Sequence, residues 1–119
     1  MKTDIKILMS DDSAFMRKVL KDILQGAGFT NFIEASNGRE ALEKYHAEKP
    51  DLVLLDVIMP EVDGVAVVKE IGKEANVIMV SAVGQESVIK EATEYGAKAF
   101  IVKPFDKSKV LETIEKVVG

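Results

Sequence analysis

The 119-residue sequence contains no cysteine, no tryptophan, three prolines and a single histidine. Without cysteine there is no thiol nucleophile, no zinc ribbon and no disulfide framework. That absence fits a reducing compartment. Long apolar runs are also missing: none approaches the ~18 residues of a membrane helix, and no charged-then-apolar leader opens the chain. A cytoplasmic protein with no membrane association is the expectation. Nor is there a basic excess, since 16 Lys and Arg stand against 20 Asp and Glu, for a net charge of −4. With both signs interspersed, this balance disfavours nonspecific nucleic-acid binding, which needs a basic stripe. No repeat, low-complexity tract or linker divides the chain, so a single domain over residues 1–119 is expected. A domain of this length buries roughly two thirds of its unfolded surface and needs no structural metal to fold.

What the chain does have is apolar runs of strand length at Ile5–Met9, Phe32–Ala35, Leu52–Leu55, Val77–Val80 and Ala99–Val102. Four of them are nearly continuous in apolar character, as strands buried on both faces are. Helical spacing fills the gaps. Phe15, Val19 and Ile23 form one i, i+4 row and Met16, Leu20 and Leu24 its neighbour. Ala41, Leu42 and Tyr45 mark a second helix, with Glu40 placed to pair with Lys44. Val88, Ile89 and Ala92 mark a fourth, and Val110, Leu111, Ile114 and Val117 a fifth. The third is contested, because Val65, Val67 and Val68 favour a strand by propensity. Asp63 as N-cap, Gly72 as stop and the need for a crossover between parallel strands favour a helix there. Asn37-Gly38 before the second helix, Asp106 before the fifth, and Gly28 and Gly96 after the first and fourth agree with this scheme. Five βα units predict an open α/β fold, a five-stranded parallel sheet with helices on both faces. The flavodoxin-like (βα)5 doubly wound order 2-1-3-4-5 suits it best.

In that order the first and third strands are neighbours, and ligands bind where strand C-termini open onto one edge. Asp11 and Asp12 follow the first strand, Asp56 the third, Ser81 the fourth and Lys103 the fifth. Each has an ordinary explanation alone: Asp12 or Ser13 as the cap of the first helix, Asp56 as an exposed loop acid, Lys103 as a solvated strand-end lysine, Ser81 as a turn residue. Their convergence on one edge is what points to chemistry. Three close carboxylates repel, and a cation relieves this. Mg2+ is the expected cofactor because it takes oxygen ligands and keeps several waters. A carboxylate can attack phosphorus to give an aspartyl phosphate, while Lys103 offsets charge on the phosphoryl oxygens and Ser81 offers a hydroxyl donor. No histidine or glutamate lies near enough in this scheme to act as a strong base. His46 falls in the charged stretch of the second helix and reads as a solvated side chain.

The segments DDSAFMRKVL, LVLLDVIMPEVDG, VSA and FIVKPF, spread over essentially the whole chain, resemble the receiver domain of two-component response regulators. DDSAFMR resembles the chemotaxis branch, meaning CheY-type single-domain regulators and the receiver portion of CheB-type methylesterases. Because the sequence ends after the fifth helix, no esterase or DNA-binding output domain is expected. The resemblance implies that Asp56 is the phosphoacceptor, that Asp11 and Asp12 hold Mg2+ together with the backbone carbonyl of Ile58, and that Lys103 contacts the phosphoryl group. It implies a cis Lys103–Pro104 bond, the only kind of peptide that takes this form cheaply, and a switch formed by Ser81 and Phe100. The plainer reading of Phe100 is a core residue of the last strand. The implied function is that of a signalling protein, not an enzyme beyond its own phosphorylation and dephosphorylation. A CheA-type histidine kinase would phosphorylate it, and a motility or motor-adaptor protein would bind the helix 4–strand 5–helix 5 face of a monomer. The alternative is a phosphorelay intermediate or phosphate sink that passes the group to another histidine protein. A haloacid-dehalogenase-type phosphohydrolase is disfavoured, since Asp11 and Asp12 are adjacent where that family separates two aspartates by one residue. Flavin binding is disfavoured because the first loop lacks a Gly/Thr-rich phosphate cradle.

The sequence departs from the family pattern at Ser10, where an aliphatic residue usually precedes the acidic pair. A buried hydroxyl there needs a partner or costs roughly 1–3 kcal/mol. Phe100 lacks the hydroxyl of the tyrosine found in many chemotaxis members. Ile58 and Val83 stand two positions beyond Asp56 and Ser81, where the resemblance implies control of dephosphorylation, and both are apolar, which suggests exclusion of attacking water and slow dephosphorylation. Glu86, Glu91 and Glu94 against Lys90 make the fourth helix acidic, which suits either a basic partner or plain solvation.

Overall fold

The computed structural model describes residues 2–82 and 84–119. Strands and helices alternate as β1 (Lys6–Ser10), α1 (Ala14–Gly26), β2 (Asn31–Ala35), α2 (Gly38–Glu48), β3 (Leu52–Leu55), α3 (Gly64–Ile71), β4 (Val77–Ser81), α4 (Glu86–Glu94), β5 (Ala99–Val102) and α5 (Lys107–Val118). The strands pair in parallel in the order β2-β1-β3-β4-β5, the order the apolar runs and crossovers predict. β1 begins and ends one residue later than its apolar run, which brings Ser10 into the ladder opposite Ala35 and Leu55.

Period-2 alternation splits the continuous apolar strands between two cores. Leu8, Val53, Leu55, Val77 and Met79 face a cluster closed by Ala41 and Tyr45 of α2, Val67, Val68 and Ile71 of α3, and Ala92 of α4. Ile7, Met9, Leu52, Leu54, Ile78, Val80 and Ile101 face the other, closed by Leu20 and Leu24 of α1 and Val110 and Ile114 of α5. The valines of α3 show why local propensity loses here. Val67, Val68 and Ile71 at helical spacing are all fully buried, and burying them outweighs the few tenths of a kcal/mol of β preference per residue.

Side-chain caps fix where the helices begin. The Ser13 hydroxyl accepts from the Met16 N–H at 3.2 Å, and Asn37, Asp63 and Asp106 accept from Glu40, Ala66 and Lys109 at 2.8, 2.9 and 2.8 Å. Ser13, not Asp12, therefore caps α1, and Asp12 is left outside the helix. The expected Glu40–Lys44 pair forms at 3.1 Å. Two expectations change. Phe15 heads an apolar row yet is 73% exposed, because the first turn of α1 stands at the sheet edge where β1 has already ended. There it lines an apolar groove with Met16, Val19, Pro104 and Phe105. His46 is exposed but not merely solvated, since its Nε2 lies 2.8 Å from Glu70 Oε2 of α3.

Candidate functional site

β1 and β3 are in register with Ser10 beside Leu55, so the residues that follow them, Asp11 and Asp56, emerge side by side. Backbone bonds carry the ladders one step past the strands: Asp11 N–H donates to Ala35 O at 3.1 Å and Asp56 N–H to Ser10 O at 2.9 Å. Carboxylate oxygens of Asp11, Asp12 and Asp56 all lie within 4.8 Å of one another. Asp11 and Asp56 are 4% and 8% exposed, while Asp12 faces solvent.

Lys103 reaches the same point from β5. Its Nζ lies 2.7 Å from Asp11 Oδ2 and 3.3 Å from Asp56 Oδ2, with the lysine side chain 15% exposed. The Lys103–Pro104 peptide is cis, and Lys103 N–H donates to Ser81 O at 2.8 Å, which extends the β4–β5 pairing of Ser81 with Val102. Burial alone would push the ammonium's pKa down. The hydrogen bond to Asp11 and the charges of Asp56 and Asp11 more than reverse this, so it lies above the ordinary lysine value. Ser81 is buried at the end of β4. Phe100 of β5 is half-buried against the α2–α3–α4 core. Ile58 follows in the loop before α3 with its side chain 63% exposed. Val83 lies outside the described residues.

Three further residues shape the site without having stood out in the sequence. Arg17 of α1 donates from Nη1 to the Asp11 carbonyl at 2.5 Å and from Nε to Glu34 Oε1 at 2.9 Å, so it ties the acidic loop to β2. Its position in DDSAFMR was a signal, but nothing local says that its partner is a backbone oxygen. Gly64, the first residue of α3, lies so close to the third strand's end that a Cβ would sit 2.0 Å from Asp56 O. Met59 gives Ser10 its partner: the serine hydroxyl donates to Met59 Sδ at 3.1 Å. Among the described residues no buried side-chain nitrogen or oxygen lacks a hydrogen-bond partner.

The donor set suits a hard divalent cation. Its side-chain donors are all carboxylate oxygens, the chemistry Mg2+ prefers. Three carboxylates and one ammonium leave two negative charges uncompensated, because the nearby Arg17 guanidinium is already paired with Glu34. An open parallel α/β sheet with an acidic cluster and a lysine at the C-terminal edge of its strands belongs to the doubly wound class whose ligand sites lie on that edge, and this edge is suited to a hard cation.

Comparison with known proteins gives the family. The response regulator receiver domain matches residues 7–115, and the chain belongs to that family. It is 50% identical over 115 residues to the chemotaxis protein CheY of Thermotoga maritima, covering 94% of this chain and 96% of that one. Identity to CheY of Bacillus subtilis is also 50%, over 117 residues, covering 96% and 98%. Among solved structures, the CheX-CheY-BeF3-Mg2+ complex from Borrelia burgdorferi contains a chain that matches with a TM-score of 0.90 at 41% identity, covering 97% of this chain and 90% of that one. Among the described residues no helix is long and apolar enough to cross a membrane.

Proposed function

We propose that this chain is a Mg2+-dependent phosphoacceptor that takes a phosphoryl group on Asp56 from a histidine kinase and thereby switches binding to a chemotaxis or motility partner. The observation that carries this reading is the meeting of Asp11, Asp12 and Asp56 within 4.8 Å beneath a lysine bonded to two of them. An Asp56 oxygen attacks phosphorus as the bond to the donor's imidazole nitrogen breaks, and that nitrogen keeps the electron pair and takes a proton. Asp11, Asp12, Asp56 and the Ile58 carbonyl would hold Mg2+, which would supply neutralisation of the negative charge gathered at the site. Lys103 exchanges its contact with Asp56 for one with a phosphoryl oxygen while keeping Asp11, so its positive charge is already aimed where negative charge arrives. Ser81, one strand away, turns its hydroxyl to the same group, and Phe100 follows it inward as the second element of the switch.

The output face is α4–β5–α5. Glu86, Glu91, Glu94 and Val102 are exposed on α4 and β5, a charged and apolar mixture suited to a basic partner of the motor-adaptor kind, with a CheA-type kinase as donor. The chemotaxis CheY relatives at 50% identity support the pathway, and the Borrelia burgdorferi CheY captured with CheX makes a CheX-like protein a partner to try. The test is direct. Protein incubated with Mg2+ and acetyl phosphate gains the mass of one phosphoryl group, and Asp56→Asn gains none. No gain under conditions where a known receiver responds refutes the assignment of Asp56. Fast back-transfer to the kinase with no partner binding would instead identify a phosphate sink.

A further inference from the structure

The β3–α3 loop carries Asp56 at its start and the Ile58 carbonyl two residues on. On the α3 side it is held by buried Val57, whose carbonyl accepts from the Gly64 N–H at 2.7 Å, and by the Arg39–Glu61 pair at 3.2 Å. Ile58 and Pro60 are exposed on either side of Met59, which is 7% exposed and packs into the α2–α3 core. Ser10 touches this segment twice. Its carbonyl accepts from the Asp56 N–H at 2.9 Å, and its hydroxyl, in a residue 2% exposed, donates to Met59 Sδ at 3.1 Å. The first contact is ladder geometry that any residue would supply. The second exists only because position 10 is serine and position 59 carries a sulfur acceptor. Residues 56–59 are therefore tied at both ends to the residue that immediately precedes Asp11, while Val57 between them is held from the α3 side.

On the reading that Asp11, Asp12, Asp56 and the Ile58 carbonyl hold Mg2+, we infer that Ser10 is a positioning residue for the metal site: its hydroxyl, acting through Met59, fixes the β3–α3 loop so that the Asp56 and Ile58 ligands stand at a set distance from Asp11. The consequence is selectivity as well as affinity. Mg2+ demands near-octahedral oxygen geometry, whereas Ca2+ accepts six to eight ligands in flexible arrangements. A loop freed from its clamp therefore penalises Mg2+ more than Ca2+.

Calorimetric titration of Mg2+ and of Ca2+ into the full chain tests this, with Ser10→Ala and Met59→Leu as independent ways to remove the same bond. Each variant is expected to weaken Mg2+ by about threefold to tenfold, the size of one neutral hydrogen bond. Ca2+ is expected to weaken by less, and the double variant to bind no worse than the weaker single one, because both remove one interaction. A residue that mattered only for folding would lower both affinities alike or neither. Unchanged Mg2+ affinity in both variants, or equal losses for the two ions, overturns the role of Ser10 and leaves the metal site standing. Failure of the unmutated protein to bind Mg2+ at millimolar concentration overturns the metal reading and this inference together.

Discussion

Asp12 separates a residue that serves the fold from one that serves the site, because Ser13 has taken the capping role. Asp12→Asn keeps shape and hydrogen-bonding capacity and removes one charge. Unit charges within 4.8 Å of each other repel by at least about 0.9 kcal/mol in a fully aqueous dielectric and by more as the site dries. Asp12 faces two carboxylates and is exposed, and Lys103 offsets part of their charge, so the variant is expected to be more stable than the parent by about 1 kcal/mol in metal-free buffer. Saturating Mg2+ reverses the order. At a hundredfold excess over Kd the parent gains about 2.7 kcal/mol, and the variant, short of one ligand, loses most of that gain. Thermal melts followed by circular dichroism, with chelator and then with Mg2+, read both signs. For a chain this long 1 kcal/mol corresponds to about 4 °C in Tm, so the Asp12→Asn variant melts a few degrees higher than the parent without metal and several lower with it. A variant less stable by the same amount in both conditions would make Asp12 a structural residue and refute the electrostatic argument.

Lys103→Met is expected to cost about 1–2 kcal/mol without metal, between the exposed and buried limits for an ion pair, and Mg2+ should recover much of the loss; urea melts with and without the ion measure it. Because the folded-state pKa of Lys103 is raised, its contribution is fully present below the unfolded lysine value of about 10.4 and fades only as pH rises through the higher folded value. The stability difference between parent and Lys103→Met should thus stay flat from neutral pH to about 10 and shrink above it; a difference that vanishes near neutrality contradicts the pairing. Gly64→Ala places a methyl 2.0 Å from Asp56 O and should destabilise by at least about 2 kcal/mol while weakening Mg2+, read by melting and calorimetry. Ile58→Asn with Val83→Glu should shorten the lifetime of the phosphorylated form, measured as decay of the phosphorylated mass; an unchanged lifetime removes the water-exclusion idea.

Much was legible in the chain before any fold was known. Nearly continuous apolar runs of strand length read as strands covered on both faces, their separation by helical repeats implied parallel pairing, and of the doubly wound orders 2-1-3-4-5 suited five strands best. With that order, residues at the ends of the first, third, fourth and fifth runs share an edge, and Asp11, Asp12, Asp56 and Lys103 meet there, with Ser81 at the end of the neighbouring strand. Even α3, contested by its valines, was decided by its cap at Asp63 and by the crossover it must make. Other features required the tertiary structure, because they join residues far apart in the chain or depend on what lies beyond an element's end. Phe15 has the spacing of a core residue, but only the end of β1 beneath it makes it exposed. Whether Asp12 or Ser13 capped α1 was open in sequence, since both residue types cap well, and backbone geometry chose the serine. Ser10 read as an unpartnered hydroxyl until the fold placed Met59, 49 residues away in sequence, against it. Periodicity and capping act over a few residues and are written locally. The contacts that tune the acidic site depend on where separate loops come to rest, and packing alone decides that.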